Sequence, residues 1–199
     1  MKKTLLACAL SIASITSVYA QAEPNPLRFM VGIGLTAGGD NVATANYTDG
    51  STNNISAGTG IQLMTGVDYH LNESVSFQAT VGYRGRFALA SNGNASFDRY
   101  PIELLGYYNL NEKWRLGGGI QYIHNPSLNA SGAIAYLGED FKSTTGIIVE
   151  TEYFPTPHLG IKFRAVKENY TPVVQPYSNN YSTDSINGSH VGVISDYYF

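Results

Sequence analysis

From Arg28 to Phe199 the chain alternates apolar with small, polar or charged residues over segments of about ten, a period of two that sends neighbouring side chains to opposite faces of a β-strand. Eight segments of this kind can be read. One face carries Phe29, Val31, Ile33 and Leu35 in the first segment and Ile61, Leu63, Val67 and Tyr69 in the second. It continues through Phe77 and Val81, Tyr100, Ile102 and Leu104, Leu116 and Ile120, Ile147 and Val149, and Ile161 and Phe163, to Val191, Val193, Tyr197 and Phe199. No charge falls on that face. The other face holds Arg28, Asp68, Arg84, Arg86, Arg99, Glu103, Arg115, Glu150, Glu152, Lys162, Arg164 and Asp196, which include every arginine of the protein. Guanidinium groups are costly to bury alone, so a strand face mixing both signs predicts mutual neutralisation rather than an apolar core.

The connections alternate as well. Leu71-Asn72-Glu73, Asn111-Glu112 and Phe154-Pro155-Thr156-Pro157 are short, whereas 40–56, 88–97, 125–142 and 171–188 are longer and rich in Asn, Ser, Gly and Asp. Tight turns at one end and long polar loops at the other predict an all-β fold, an eight-stranded antiparallel up-and-down β-barrel. Aromatic residues gather beside the short turns (Tyr69, Tyr108, Trp114, Tyr153, Phe199) and toward the long loops (Phe87, Tyr100, Tyr122), as expected of two interfacial girdles on a transmembrane wall.

Composition sharpens this reading. Only 14% of the 199 residues are charged, and a single long apolar run exists, Leu5 to Val18, preceded by Lys2 and Lys3. That arrangement is expected to be a signal peptide cut after Ala20, leaving one barrel domain over residues 21–199. The only cysteine, Cys8, would leave with the leader, excluding disulfides and thiolate chemistry from the mature protein. Without the leader the acidic excess grows, so nucleic acid is not an expected partner.

The chain closes on His190-Val-Gly-Val-Ile-Ser-Asp-Tyr-Tyr-Phe199. Its terminal Phe199, with Tyr197, Val193 and Val191 at alternating positions before it, resembles the insertion signal of Gram-negative outer-membrane barrels. With the leader and the eight segments, the chain is similar over nearly its whole length to the small outer-membrane barrel superfamily that includes the OmpA transmembrane domain, OmpX and OmpW. The resemblance implies a monomeric protein of the Gram-negative outer membrane, inserted by the barrel-assembly machinery. Its partners would be outer-membrane lipid and lipopolysaccharide, with a host-surface ligand at the long loops. The work it implies is envelope integrity or adhesion, without catalysis.

An eight-stranded barrel is just wide enough for side chains to fill, so the charged face is expected to form a plug of ion pairs. Placing Tyr153 opposite Leu159 sets Glu150 opposite Lys162 with Arg164 on the diagonal. Similar register sets Glu103 diagonal to Arg84, and closure brings Asp196 toward Arg28.

The chain offers little catalytic chemistry. Gly32-Ile-Gly34-Leu-Thr-Ala37 matches a relaxed dinucleotide fingerprint but runs into no helix, and reads as strand glycines. His70, His124, His158 and His190 are scattered, and neither metal nor cofactor is expected. His124 and Ser127 resemble the pair used by lipid A deacylases, but those need base and nucleophile two residues apart on one outward face. Here the spacing is three, with Pro126 between. Such an enzyme, and a soluble lipocalin-like ligand carrier with its apolar face inward, are the two rival readings.

Overall fold

A computed structural model describes residues 26–46, 52–90, 93–132, 135, 138–173 and 184–199; the expected leader and its cut after Ala20 lie outside them. Eight long strands form the wall: β1 (Leu27–Gly38), β2 (Gly60–His70), β3 (Val75–Ala90), β4 (Gly93–Asn111), β5 (Trp114–Ala130), β6 (Thr144–Thr156), β7 (Leu159–Lys167) and β8 (His190–Tyr198). Each pairs antiparallel with its neighbours in sequence, and β1 pairs with β8, closing the sheet on itself. Closure leaves no open edge in the wall.

The short turns are set by their own side chains. Asn72 Oδ1 accepts the backbone N–H groups of Ser74 and Val75, both at 2.9 Å, and Asn111 Oδ1 accepts those of Lys113 and Trp114 at 2.9 and 3.0 Å. An Asn at that position satisfies the donors a reversing chain would otherwise leave unpaired. At the third turn Thr156 Oγ1 receives the N–H of Leu159.

Orientation follows the alternation. Ile33, Leu35, Leu104, Val149 and Val191 point outward and are 56%, 67%, 57%, 62% and 61% exposed, while Asp68, Arg115, Glu152, Lys162 and Asp196 point inward and are at most 1% exposed. This rules out a ligand carrier with an apolar cavity. Where inward charges crowd, glycine makes the room: a Cβ on Gly32 would lie 2.0 Å from Asp196 Oδ1, and one on Gly160 would lie 1.9 Å from Glu152 Oε1.

The structure corrects three details. The 88–97 connection, expected as a long loop, is mostly ladder, with Ala88 opposite Ala95 and Ala90 opposite Gly93. The first long loop contains a hairpin, Asn41–Asn46 against Thr52–Ser56. The third short turn reverses at Pro157 and His158, because β6 runs on through Phe154 and Pro155 with an irregularity opposite Leu159–Ile161. Proline has no N–H for the ladder, so the extra residue is taken up as a bulge.

Above the charged lumen the long connections build a second core. Ile55 and Ala57 from the first, Phe141 from the third and Tyr170 from the fourth meet the inward Ala95, Phe97, Ile123 and Leu128 of β4 and β5. Phe97 is at the centre, its ring 5.5 Å from those of both Phe141 and Tyr170. Truncating it removes the shared surface of three loops. Phe97→Ala is expected to lower stability by about 3 kcal/mol, read as the shift in urea unfolding monitored by heat-modifiable gel migration. An unchanged midpoint would mean that the cap contributes nothing.

Candidate functional site

The inward residues form layers along the lumen. At the short-turn end Asp68 is gripped from two strands, with Arg28 Nη2 at 2.7 Å and Arg115 Nη1 at 2.9 Å, while His70 Nε2 lies 3.0 Å from the same carboxylate. Arg115 also reaches Glu152 at 2.7 Å, and Tyr198 donates to the second oxygen of Glu152 at 2.7 Å. The Arg115 guanidinium lies 3.9 Å over the ring of Tyr107, whose hydroxyl donates to Glu150. These groups floor an open mouth of about 810 Å³ lined by Arg28, His70, Arg115, Phe154 and Pro157.

In the middle layer Arg164 bridges two carboxylates, Glu150 at 2.6 Å and Glu103 at 2.7 Å, and Lys162 Nζ sits 2.7 Å from Asp196 and 3.6 Å from Glu150. Gln62, Thr80 and Gln78 complete it, the first two donating to Glu103 and the last accepting from Lys162. In the upper layer Arg84 meets Glu168, Tyr170 and His190. Arg99 donates to the backbone carbonyls of Ala57 and Thr59 and lies over the Phe97 ring, while Arg86 is half-buried opposite Phe97. Paired buried charges are neutral in aggregate but intolerant of losing one member.

The expected pairings are corrected here. The bulge at Phe154–Pro155 shifts the register, so that Tyr153 faces Ile161, Glu152 faces Lys162, and Glu150 faces Arg164. Glu103 pairs with Arg164 from β7, not with Arg84, which lies opposite Arg99. Asp196 pairs with Lys162, and Arg28 pairs with Asp68, directly opposite it. Beyond the expected set the network takes in Gln62, Gln78, Thr80, Tyr107 and Tyr198 and, at its upper end, Glu168 and His190. The last two were visible as continuations of the inward phase, Lys162-x-Arg164-x-Val166-x-Glu168 and His190-x-Gly192, but each lies at the edge of a segment taken to be loop.

Glu168, one residue beyond β7, is desolvated by burial, which pushes its carboxyl up. The Arg84 guanidinium and His190 outweigh that effect and hold the group down at about 2. A carboxyl below its unfolded value stabilises the fold above that value and loses the contribution as pH falls toward its folded one.

On the outer wall the spacing objection to His124 and Ser127 does not hold. Asn125, with φ of 38°, forms a bulge that sets His124 opposite Tyr100 and Ser127 opposite Asp98, on one outward face. The local bonds nonetheless run elsewhere. Ser127 Oγ accepts from Asn129 at 3.2 Å, His124 Nε2 lies 3.2 Å from Asn125, and Asp98 is held by Tyr83, Ser96 and Asn129. These bonds do not assemble a proton relay from serine to histidine. The C-terminal residues Val191, Val193, Tyr197 and Phe199 all lie on the outward face and are about half-exposed.

A closed wall that is apolar outside and sealed by ion pairs inside is the arrangement a lipid bilayer demands of a spanning sheet. The outer membrane protein beta-barrel domain family matches residues 5–197. The chain belongs to that family. It is therefore an outer-membrane β-barrel protein, of the family expected from its C-terminal pattern. Among solved structures it is similar to Ail, the attachment invasion locus protein of Yersinia pestis. In the complex with the heparin analogue sucrose octasulfate, identity is 14%, coverage is 87% of this chain and 97% of Ail, and the TM-score is 0.54. Ail without that ligand gives the same identity and coverage with a TM-score of 0.52. Neisserial surface protein A aligns at 10% identity over 87% of this chain and 97% of its own, with a TM-score of 0.48. No curated protein matches the chain in sequence.

Two outcomes test the lumen. Glu150→Ala is expected to cost about 1–3 kcal/mol, because Arg164 keeps Glu103 while the Tyr107 hydroxyl and Lys162 lose a partner; urea unfolding in detergent measures it. Glu168→Gln is expected to flatten the loss of stability between about pH 4.5 and about pH 2, measured as the unfolding midpoint across that window.

Proposed function

We propose that this protein is a non-catalytic, closed barrel whose outer end serves as an interaction surface. The observation that carries the reading is strand length. Crossing the hydrocarbon takes ~9–11 tilted residues, whereas β3, β4 and β5 have 16, 19 and 17, so their upper ends stand clear of the membrane as a rigid extension. The apolar cap braces that extension, and the ion pairs beneath it leave no room for a diffusion pore. The mature chain, residues 21–199, is released from a leader cut after Ala20, and its C-terminal Val191, Val193, Tyr197 and Phe199 present the pattern read during insertion. Lipopolysaccharide and phospholipid surround the wall.

The sign of charge at the outer end narrows the partner. Among the described residues there, Asp40, Glu139, Asp140 and Asp184 are exposed against Lys142 and Lys167. A polyanion such as the sucrose octasulfate bound to Ail meets repulsion here, so the partner surface is neutral or basic.

Cells displaying the protein are expected to adhere to a host-cell layer, with the purified protein in nanodiscs competing and heparin having no effect. Adhesion equal to that of cells lacking it removes the interaction role. Planar-bilayer recording should show no stable unitary steps; regular steps would refute a closed lumen. The acyl pattern of lipid A is expected to be the same with and without expression, and a loss dependent on His124 would replace this reading with an enzymatic one.

A further inference from the structure

The upper lumen contains an arrangement that neither a plug nor a cap requires. Arg84 rises from β3 and crosses the lumen to the two chain segments that flank the fourth long connection. On one side it donates to Glu168 Oε1 and, at 2.9 Å, to the Tyr170 hydroxyl. On the other it donates through Nη1 to Nε2 of His190. Those segments also pair with each other, Asn169 opposite Asn187 and Tyr170 opposite Ile186, forming a two-stranded stub that carries Tyr170 into the apolar cap.

The partners of His190 fix its tautomer. Nδ1 has its shortest contact with an acceptor, the Gly188 carbonyl at 2.9 Å, with Glu168 Oε1 and Arg84 Nη1 both at 3.4 Å, and therefore carries the hydrogen. Nε2 faces a guanidinium N–H and must offer a lone pair. The ring is neutral in this arrangement, and its residue is only 4% exposed. The charged and titratable groups around it are Arg84 from β3, Glu168 and Tyr170 from the segment after β7, Arg99 from β4 opposite Arg84, and Arg164 from β7 opposite Gly192. From β1 it faces only Gly38. Of these only Arg84 and Glu168 contact the ring, which keeps its bond from Arg84 only while uncharged.

We propose that His190 is an acid-sensitive clasp, whose protonation expels Arg84 and frees the stub at the base of the fourth connection from the cap. A proton on Nε2 sets two donors face to face. The imidazolium and the guanidinium then repel each other across Glu168, whose Oε1 already takes Arg84 and Tyr170. The ring is short and held at Nδ1 by the Gly188 carbonyl of its own chain segment, whereas the guanidinium ends a long flexible side chain, so Arg84 is the group that moves. Its departure leaves the Tyr170 hydroxyl with Glu168 alone, at 2.7 Å, and unties from β3 the stub whose Tyr170 and Ile186 both pack into the cap. The ion pairs of the middle and lower layers have no part in this, so the outer surface changes while the lumen stays shut. A barrel with such a clasp alters its exposed end on passing from neutral to acid surroundings.

Hydrogen–deuterium exchange on the full protein in nanodiscs tests this, with rates corrected for intrinsic pH dependence and Ile194 and Asp196 as internal reference. The amides of Asn169, Tyr170, Ile186 and Asn187 are expected to exchange about tenfold faster at about pH 5 than at about pH 7.5 in the native protein, and equally at both in His190→Gln, whose amide keeps an acceptor for Arg84 but takes no proton. Equal acceleration in the variant, or none in the native protein, overturns the proposal. Should the variant fail to fold, ¹⁵N spectra of the native histidine rings decide: Nε2 protonated at neutral pH, or a ring that titrates without change in the stub amides, also overturns it.

Discussion

Everything in this molecule depends on keeping guanidinium groups inside an eight-stranded tube in which bulk water has no room. An isolated arginine there would cost more than the fold could bear, so Arg28, Arg84, Arg99, Arg115, Lys162 and Arg164 are each matched to a carboxylate, a carbonyl or an aromatic face. Once the charges are paired inward, the apolar side chains have no face left but the outer one, and the sheet must close because lipid cannot satisfy an open edge. Membership of the outer membrane protein beta-barrel domain family is the expression of that constraint in sequence.

The lumen is organised as a stack rather than a single cluster. The lower layer ties Asp68 and Glu152 to Arg115, the middle layer ties Glu103, Glu150 and Asp196 to Arg164 and Lys162, and the upper layer ties the fourth connection to Arg84. Lower and middle layers join strands of the wall to one another and are structural. The upper layer joins the wall to the outer connections, so it alone can pass a local chemical change to the outer surface. The apolar cap sits on that layer, and through Tyr170 the two share a residue.

The outer surface illustrates how little a motif says without its backbone. His124 and Ser127 are three apart, which on a regular strand would place them on opposite faces. A residue with positive φ between them restores the common face, yet their hydrogen bonds go to Asn125 and Asn129 instead of to each other. Placement on one face is necessary for paired chemistry and far from sufficient.

What the chain determined by itself is local and periodic. Away from the bulges, alternation fixed which side of the wall a strand residue occupies, Asn72 and Asn111 fixed their turns, and the run of short and long connections fixed an up-and-down closure. The tertiary structure alone decided which carboxylate each cation meets. Arg164 on β7 reaches Glu103 on β4, and Arg115 on β5 reaches Asp68 on β2, each three strands away, so these pairs depend on the stagger accumulated around the barrel. A bulge of one residue, as at Phe154–Pro155, moves every later partner. Periodicity is written into neighbouring residues by backbone sterics, whereas register across a closed sheet is a sum over all its strands, which no single segment encodes.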